Sequence, residues 1–188
     1  MLVRLTCHPD TPCAEIERID VELGRGERGA LRLRYRIVGD AEHVLTACTS
    51  PGEPPQRRDE LWRHTCCELF VREPAGEGYR EYNFAPGGDW AAYRFGGYRA
   101  GMSPLDAAAP RIVLERSPAM LALTVTLDDQ PLSALGGRQI AIACVLEATS
   151  PGGRSYWALA HPPGRPDFHH PAAFALTLAV EHTADSLG

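Results

Sequence analysis

Apolar and polar residues alternate with a period of two along much of the chain. In LRLRYRIV (31–38), Leu31, Leu33, Tyr35 and Ile37 fall on one face, and Arg32, Arg34 and Arg36 on the other. Such alternation over eight residues predicts a strand with one buried face. EIERIDVEL (15–23) repeats the pattern, with Ile19, Val21 and Leu23 set against Arg18, Asp20 and Glu22. Further strands are predicted in LWRHTCCELFV (61–71), YREYNFAP (79–86), WAAYRF (90–95), IVLER (112–116), MLALTVTL (120–127), QIAIACVLEA (139–148), SYWALA (155–160) and FALTLAV (174–180). The last places Phe174, Leu176, Leu178 and Val180 on one face. PAGEG (74–78) and GGD (87–89) are turn sequences, so the segments from 61 to 95 read as an antiparallel meander. CTSPGEPPQRRDE (48–60) is a loop, SPGGRS a turn, 97–110 an irregular stretch with a brief helix at 105–109, and PLSALGG (131–137) a single helical turn. Nine or ten short strands with one apolar face each must pack on a second sheet or close on themselves. The predicted fold is an all-β antiparallel sandwich, with a barrel as the alternative.

Alternation also sorts the reactive side chains. Along 61–71, Trp62, His64, Cys66, Glu68 and Phe70 share a face. Tyr79, Glu81 and Asn83 share one on the next strand, and Trp90 and Arg94 share one on the strand after it. If these faces align, Trp62, His64, Glu68, Glu81, Asn83, Trp90 and Arg94 line a single groove. An aromatic plate beside polar groups suits a small ligand, because the ring supplies apolar contact and the polar groups fix orientation. Glu68 is the most telling, since a carboxylate within an apolar strand needs a partner. Arg80 or Arg94 would supply one without any ligand.

A second stretch, YWALAHPPGRPDFHHP (156–171), begins as a strand with Tyr156 and Trp157 on opposite faces. Its prolines then impose a stiff loop that carries His161, Asp167, His169 and His170. His161, Asp167 and one of His169 or His170 have the chemistry of a metal site, although neither HExxH nor paired cysteines accompany them. Other readings are a haem held by an axial His or Met, a Cys66 or Cys67 nucleophile beside His64, glycoside processing by Glu68 and Glu81, and a protein-interaction module.

Composition narrows these classes. A length of 188 residues fits one domain, 1–188, and 44% apolar with 23% charged residues is ordinary for a folded chain. The net charge of -5 argues against nucleic-acid binding, which needs a basic footprint. No apolar run is long enough to span a bilayer. MLVRLTCHPDTP lacks an apolar signal core, so a cytoplasmic location is expected. The six cysteines, Cys7, Cys13, Cys48, Cys66, Cys67 and Cys144, lack zinc spacing and read as small buried hydrophobes. P-loop and dinucleotide fingerprints are absent, and the sequence names no cofactor.

LWRHTCCELFVR, GYREYNFAPGGDWAAYRF and SYWALAHPPGRPDFHHPAAFAL resemble the DOMON-like proteins, in particular the cytoplasmic bacterial type allied to family-9 carbohydrate-binding modules. The resemblance runs from the first strand to the last. It implies a two-sheet β-sandwich of jelly-roll character with a cleft that takes a sugar or haem. In the sugar-binding relatives two tryptophans clamp a terminal sugar, which maps onto Trp62 and, more loosely, Trp157. The relatives' Glu and Asn look like Glu68 and Asn83. Their acidic pair is missing, with His64 and Thr65 in its place. The implied function is a non-catalytic module for a small ligand, most readily a saccharide.

Overall fold

The computed structural model describes residues 1–46, 54–149 and 153–179. Cys48, the first part of the 48–60 loop (48–53), the start of the SPGGRS turn and Val180 lie outside the described residues. Among the described residues there are twelve strands: β1 (Leu2–Cys7), β2 (Ile16–Arg25), β3 (Ala30–Gly39), β4 (Cys66–Arg72), β5 (Tyr79–Phe84), β6 (Trp90–Phe95), β7 (Ser103–Pro104), β8 (Arg111–Ser117), β9 (Met120–Pro131), β10 (Gln139–Glu147), β11 (Arg154–Ala158) and β12 (Leu176–Thr177). β7 and β12 are two residues long, leaving ten substantial strands among the described residues; nine fall on predicted segments, β1 lies outside them, and the strand expected over 174–180 is reduced to β12.

The strands follow one hydrogen-bonded path, β7-β6-β5-β4-β10-β11-β1-β2-β3-β9-β8, with β12 beside β10. All the named pairs are antiparallel. β1 is shared between two halves: Leu2–Leu5 pair with β2, while Thr6 and Cys7 pair with β11. The curled sheet folds over so that both halves contribute to one core. Ile19, Leu33, Tyr35, Ile37, Leu121 and Leu123 come from one half; Leu69, Tyr82, Phe84, Ile142 and Cys144 come from the other. Tyr35 spans the layers, donating its hydroxyl proton to the backbone carbonyl of Glu68 at 2.9 Å.

The β4–β5–β6–β10–β11 half is buried on both faces. Its outer face carries Cys66, Phe70, Tyr79, Ala91, Tyr93, Ala143 and Val145, and the proline-rich segment 159–175 covers it with Phe168, Ala173 and Phe174. Burying each of those two phenylalanines contributes about 2 kcal/mol, which holds an otherwise irregular segment on the sheet. Four expectations need correction. The 61–71 strand starts only at Cys66, because Leu61–Arg63 form a 3-10 turn. No helix forms at 105–109. FALTLAV follows a 3-10 turn at Pro171–Ala173, and only Leu176–Thr177 of it forms a strand. Phe174 and Leu178 therefore join different clusters instead of sharing a face.

Candidate ligand-binding site

A cavity of about 360 Å³ lies between the outer face of the covered half-sheet and the proline-rich segment. β4 contributes Glu68, β5 Glu81, and β11 Tyr156; the turns at 61–63 and 96–101 add Trp62 and Arg99. Pro166, Phe168 and His169 descend from the covering segment, and Met102, Phe95, Val145 and Arg154 complete the wall. Register explains the floor. Glu68 pairs with Asn83 and Phe70 with Glu81, so Glu68 and Glu81 are diagonal neighbours on one face. Ala143 lies opposite Glu68 on the other side, and its small side chain leaves depth there.

The two carboxyls are almost wholly shielded, at 2% and 3% exposure. Asn83 Nδ2 donates to Glu81 Oε1 at 2.7 Å, while the buried Oε2 has no hydrogen-bond partner among the described residues. Burial pushes Glu81 up to about 7, against the opposing pull of the Asn83 bond and the Arg99 charge. Burial also lifts Glu68 well above the carboxylate range, and a charge on Glu81 would lift it further. The floor therefore carries protons in mildly acidic solution.

His169 stands between floor and cover. Its Nδ1 is 2.7 Å from the Tyr79 hydroxyl and 3.8 Å from Glu81 Oε2. The rings of Phe70, Tyr79 and Phe95 surround it. Burial, helped by Arg99, lowers it to about 4, with Asp167 opposing. The neutral imidazole then accepts the Tyr79 hydroxyl proton, while that hydroxyl accepts from the Arg99 backbone N–H at 3.4 Å.

Arg99 adopts a left-handed backbone, φ 51°, a conformation that is costly outside glycine. Its Nη2 donates to Asp167 Oδ1 at 2.7 Å. Asp167 also accepts from the Tyr98 hydroxyl at 2.5 Å and the His169 backbone N–H at 3.1 Å. Trp62 is half-buried, edge-on to Tyr93 with ring centroids 6.0 Å apart. The turn that carries it follows Glu60, itself left-handed at φ 64°.

The structure brings Trp62, Glu68 and His169 into the cavity wall, with Asn83 behind Glu81 and Asp167 behind Arg99. The remaining sequence-predicted residues lie elsewhere. Trp90 pairs with Phe84, on the opposite face from Asn83, and packs into the central core beneath the Arg57 guanidinium. Arg94 shares that face and meets Glu73 at 3.5 Å. Trp157 pairs with Cys144 and belongs to the core, donating to Ser155 Oγ; Tyr156 faces the cavity instead. His64 is exposed and pairs with Glu147 at 2.8 Å. His161 turns away to Thr6 O at 2.8 Å and stacks edge-on with His8. The predicted metal set is thus dispersed, and among the described residues no group of three or more His, Cys, Asp or Glu side chains converges as ligands. Cys66 is fully buried with its thiol 3.6 Å from Asn83 Oδ1, so the Cys–His pairing with His64 does not form. Sequence reading missed Arg99 and Phe168. Only the glycine-flanked GGYRAG stretch hints at a special backbone near Arg99.

No protein-family model matches the chain, and no curated protein matches it by sequence. Among solved structures, the fold is similar to that of a "putative carbohydrate-binding protein" from Bacteroides uniformis, with a TM-score of 0.63 at 16% identity over 92% of this chain and 83% of that one. A family-9 carbohydrate-binding module from Caldicellulosiruptor kristjanssonii, in complex with glucose, gives a TM-score of 0.45 at 14% identity over 82% and 72%. At 16% identity the first likeness is one of fold.

Proposed function

We propose that this protein is a saccharide-binding module, a DOMON-like β-sandwich allied to the family-9 carbohydrate-binding modules, that holds its ligand without transforming it. One observation carries this reading: the cavity joins the Trp62 and Tyr156 rings to a buried carboxyl whose Oε2 has no hydrogen-bond partner among the described residues. A sugar fits both features, since its C–H face packs on a ring and its hydroxyls bond open oxygens. The fold's likeness to a protein described as carbohydrate-binding supports the reading. Calorimetric titration with a panel of mono- and disaccharides tests it, comparing wild type with Glu81→Gln and Trp62→Ala. Binding by wild type that both substitutions weaken is expected. Folded protein that binds no saccharide refutes it. A second reading, acid–base processing of a glycoside, has one supporting observation, the holding of Glu81 near 7 beside a protonated Glu68. That reading requires turnover of aryl glycosides, lost in both Glu→Gln variants.

A further inference from the structure

We infer that the cavity selects saccharides bearing a carboxylate, the uronic acids, and that Arg99 is the residue that recognises the acid group. This rests on the saccharide-binding reading and narrows it.

Four ionisable groups of the lining decide the charge that a ligand meets: Glu68 and Glu81 on the floor, Arg99 and Arg154 on the wall. Asp167 stands behind Arg99. With both floor carboxyls protonated, two guanidiniums face one carboxylate and the site is positive by one charge. With both ionised the site is negative by one. Burial sheds charge from the floor and leaves it on the guanidiniums, which are never neutral in water. The floor then offers hydroxyl-binding groups, and the wall offers a cation.

The way Arg99 is held points to recognition. An exposed Arg–Asp pair stabilises a fold by roughly 0–1 kcal/mol, whereas a left-handed non-glycine residue costs about 1–3 kcal/mol. Fold stability alone gives little reason to keep both. The Asp167 pairing engages the Nη2 end, and a guanidinium has five donors in a rigid fork suited to carboxylates. Tyr98 and the His169 N–H fix Asp167 in turn, so the cation is preorganised rather than recruited.

The charge of Glu81 also depends on its neighbours. Glu68 and Cys66 face it from β4, Tyr79 lies on its own strand, Tyr93 stands on β6, Arg99 lies in the 96–101 turn and His169 hangs from the cover. Burial raises the thiol and both phenols, and His169 stays neutral down to about 4. Between pH 5 and 8.5 the floor charge is therefore set by the two carboxyls.

Calorimetric titration with D-glucuronate and D-galacturonate, beside glucose and galactose, tests this at pH 5.5 and 8.5. At pH 5.5 the uronates should bind about ten-fold or more tighter than their neutral counterparts, the usual scale of a charge-assisted pair. That preference should shrink at pH 8.5 as Glu81 ionises and offsets the cationic wall. Arg99→Gln should abolish the preference, weakening the uronates about ten-fold more than the neutral sugars. Arg99→Gly removes the backbone strain as well, so it should fold at least as stably and lose the same preference. Equal binding of acid and neutral sugars, or equal weakening of both by the Arg99 variants, overturns the inference and leaves the saccharide reading standing. Absence of binding by either class overturns both.

Discussion

The hydroxyl of Tyr79 lies 2.7 Å from Nδ1 of His169, fastening the covering segment to the start of strand β5. The bond spans the cavity wall, so it links the shape of the site to strand β5. Tyr79→Phe keeps the ring packed on Phe95 but leaves a half-buried imidazole nitrogen without its donor. The expected cost is about 1–2 kcal/mol. Faster amide hydrogen exchange at Ala172 and Ala173, with strands β4 and β10 unchanged, would locate the loosening in the cover.

The site should give the protein an unusual pH response. Glu68 and Glu81 have raised folded-state values. Their contribution is fully present below the unfolded value near 4.5 and is lost as pH rises, for Glu81 through about 7. His169 is depressed to about 4, so its contribution is present above 6.5 and is lost as pH falls. Between 4.5 and 6.5 two carboxyls oppose one imidazole, leaving stability falling with rising pH by about 1 kcal/mol per unit. The Glu68→Gln, Glu81→Gln double variant removes the carboxyl side and should reverse the slope of this contribution. Urea denaturation of both proteins at pH 5 and 6.5 measures the difference.

The three tryptophans should separate cleanly. Trp157 and Trp90 lie in the core, where truncation to alanine costs about 3–5 kcal/mol. Trp62 is half-buried on a turn, so Trp62→Ala should cost about 1–2 kcal/mol. A ligand-induced fluorescence change should disappear in Trp62→Ala and survive in a folded Trp157→Phe variant. Its persistence without Trp62 would remove that ring from the site.

Asp167→Asn tests the support behind Arg99. It keeps the shape and removes the charge that pairs with the guanidinium. Exposed ion pairs contribute little to folding, so the melting temperature should move by no more than a few degrees. Affinity for ligand should drop about ten-fold, through loss of preorganisation.

Gly39 offers a test of the fold apart from the site. Its φ is 140°, and a Cβ there would lie 2.3 Å from the Glu15 carbonyl oxygen and 2.8 Å from the Ile16 Cα. The close approach occurs where the β2–β3 register slips between Ile16 and Arg18. Because the obstructing atoms are backbone, Gly39→Ala should cost more than about 3 kcal/mol, measurable by denaturant midpoint.

What alternation reveals depends on knowing where each strand begins and how it pairs. Within β3 and β5 the parity is right, and Tyr79, Glu81 and Asn83 share the cavity-side face as predicted. Trp62 was grouped with Glu68 by counting through a 3-10 turn that does not obey period two. It reaches the cavity by the path of the turn, while His64, counted in the same way, does not. Trp90 and Arg94 do share a face, but the 85–89 turn sets the register that assigns it to the core. Trp157 is singled out by the resemblance to the sugar-binding relatives, and its pairing with Cys144 places it in the core. Arg99 was hidden because a left-handed backbone leaves no periodic trace.

The sharing of β1 between the two halves has a consequence in time. The bonds from Thr6 and Cys7 to Ala158 and Trp157 close a loop of about 150 residues, the kind of distant pairing that slows folding. At synthesis rates of roughly 5–20 residues per second, the N-terminal strand waits roughly ten to thirty seconds for its second neighbour. Tyr156, a wall of the cavity, emerges from the ribosome beside that neighbour, and Phe168 and His169 follow. On a nascent chain the ligand site is therefore completed only after β11 has joined β1, so ligand capture would report that the seam has closed.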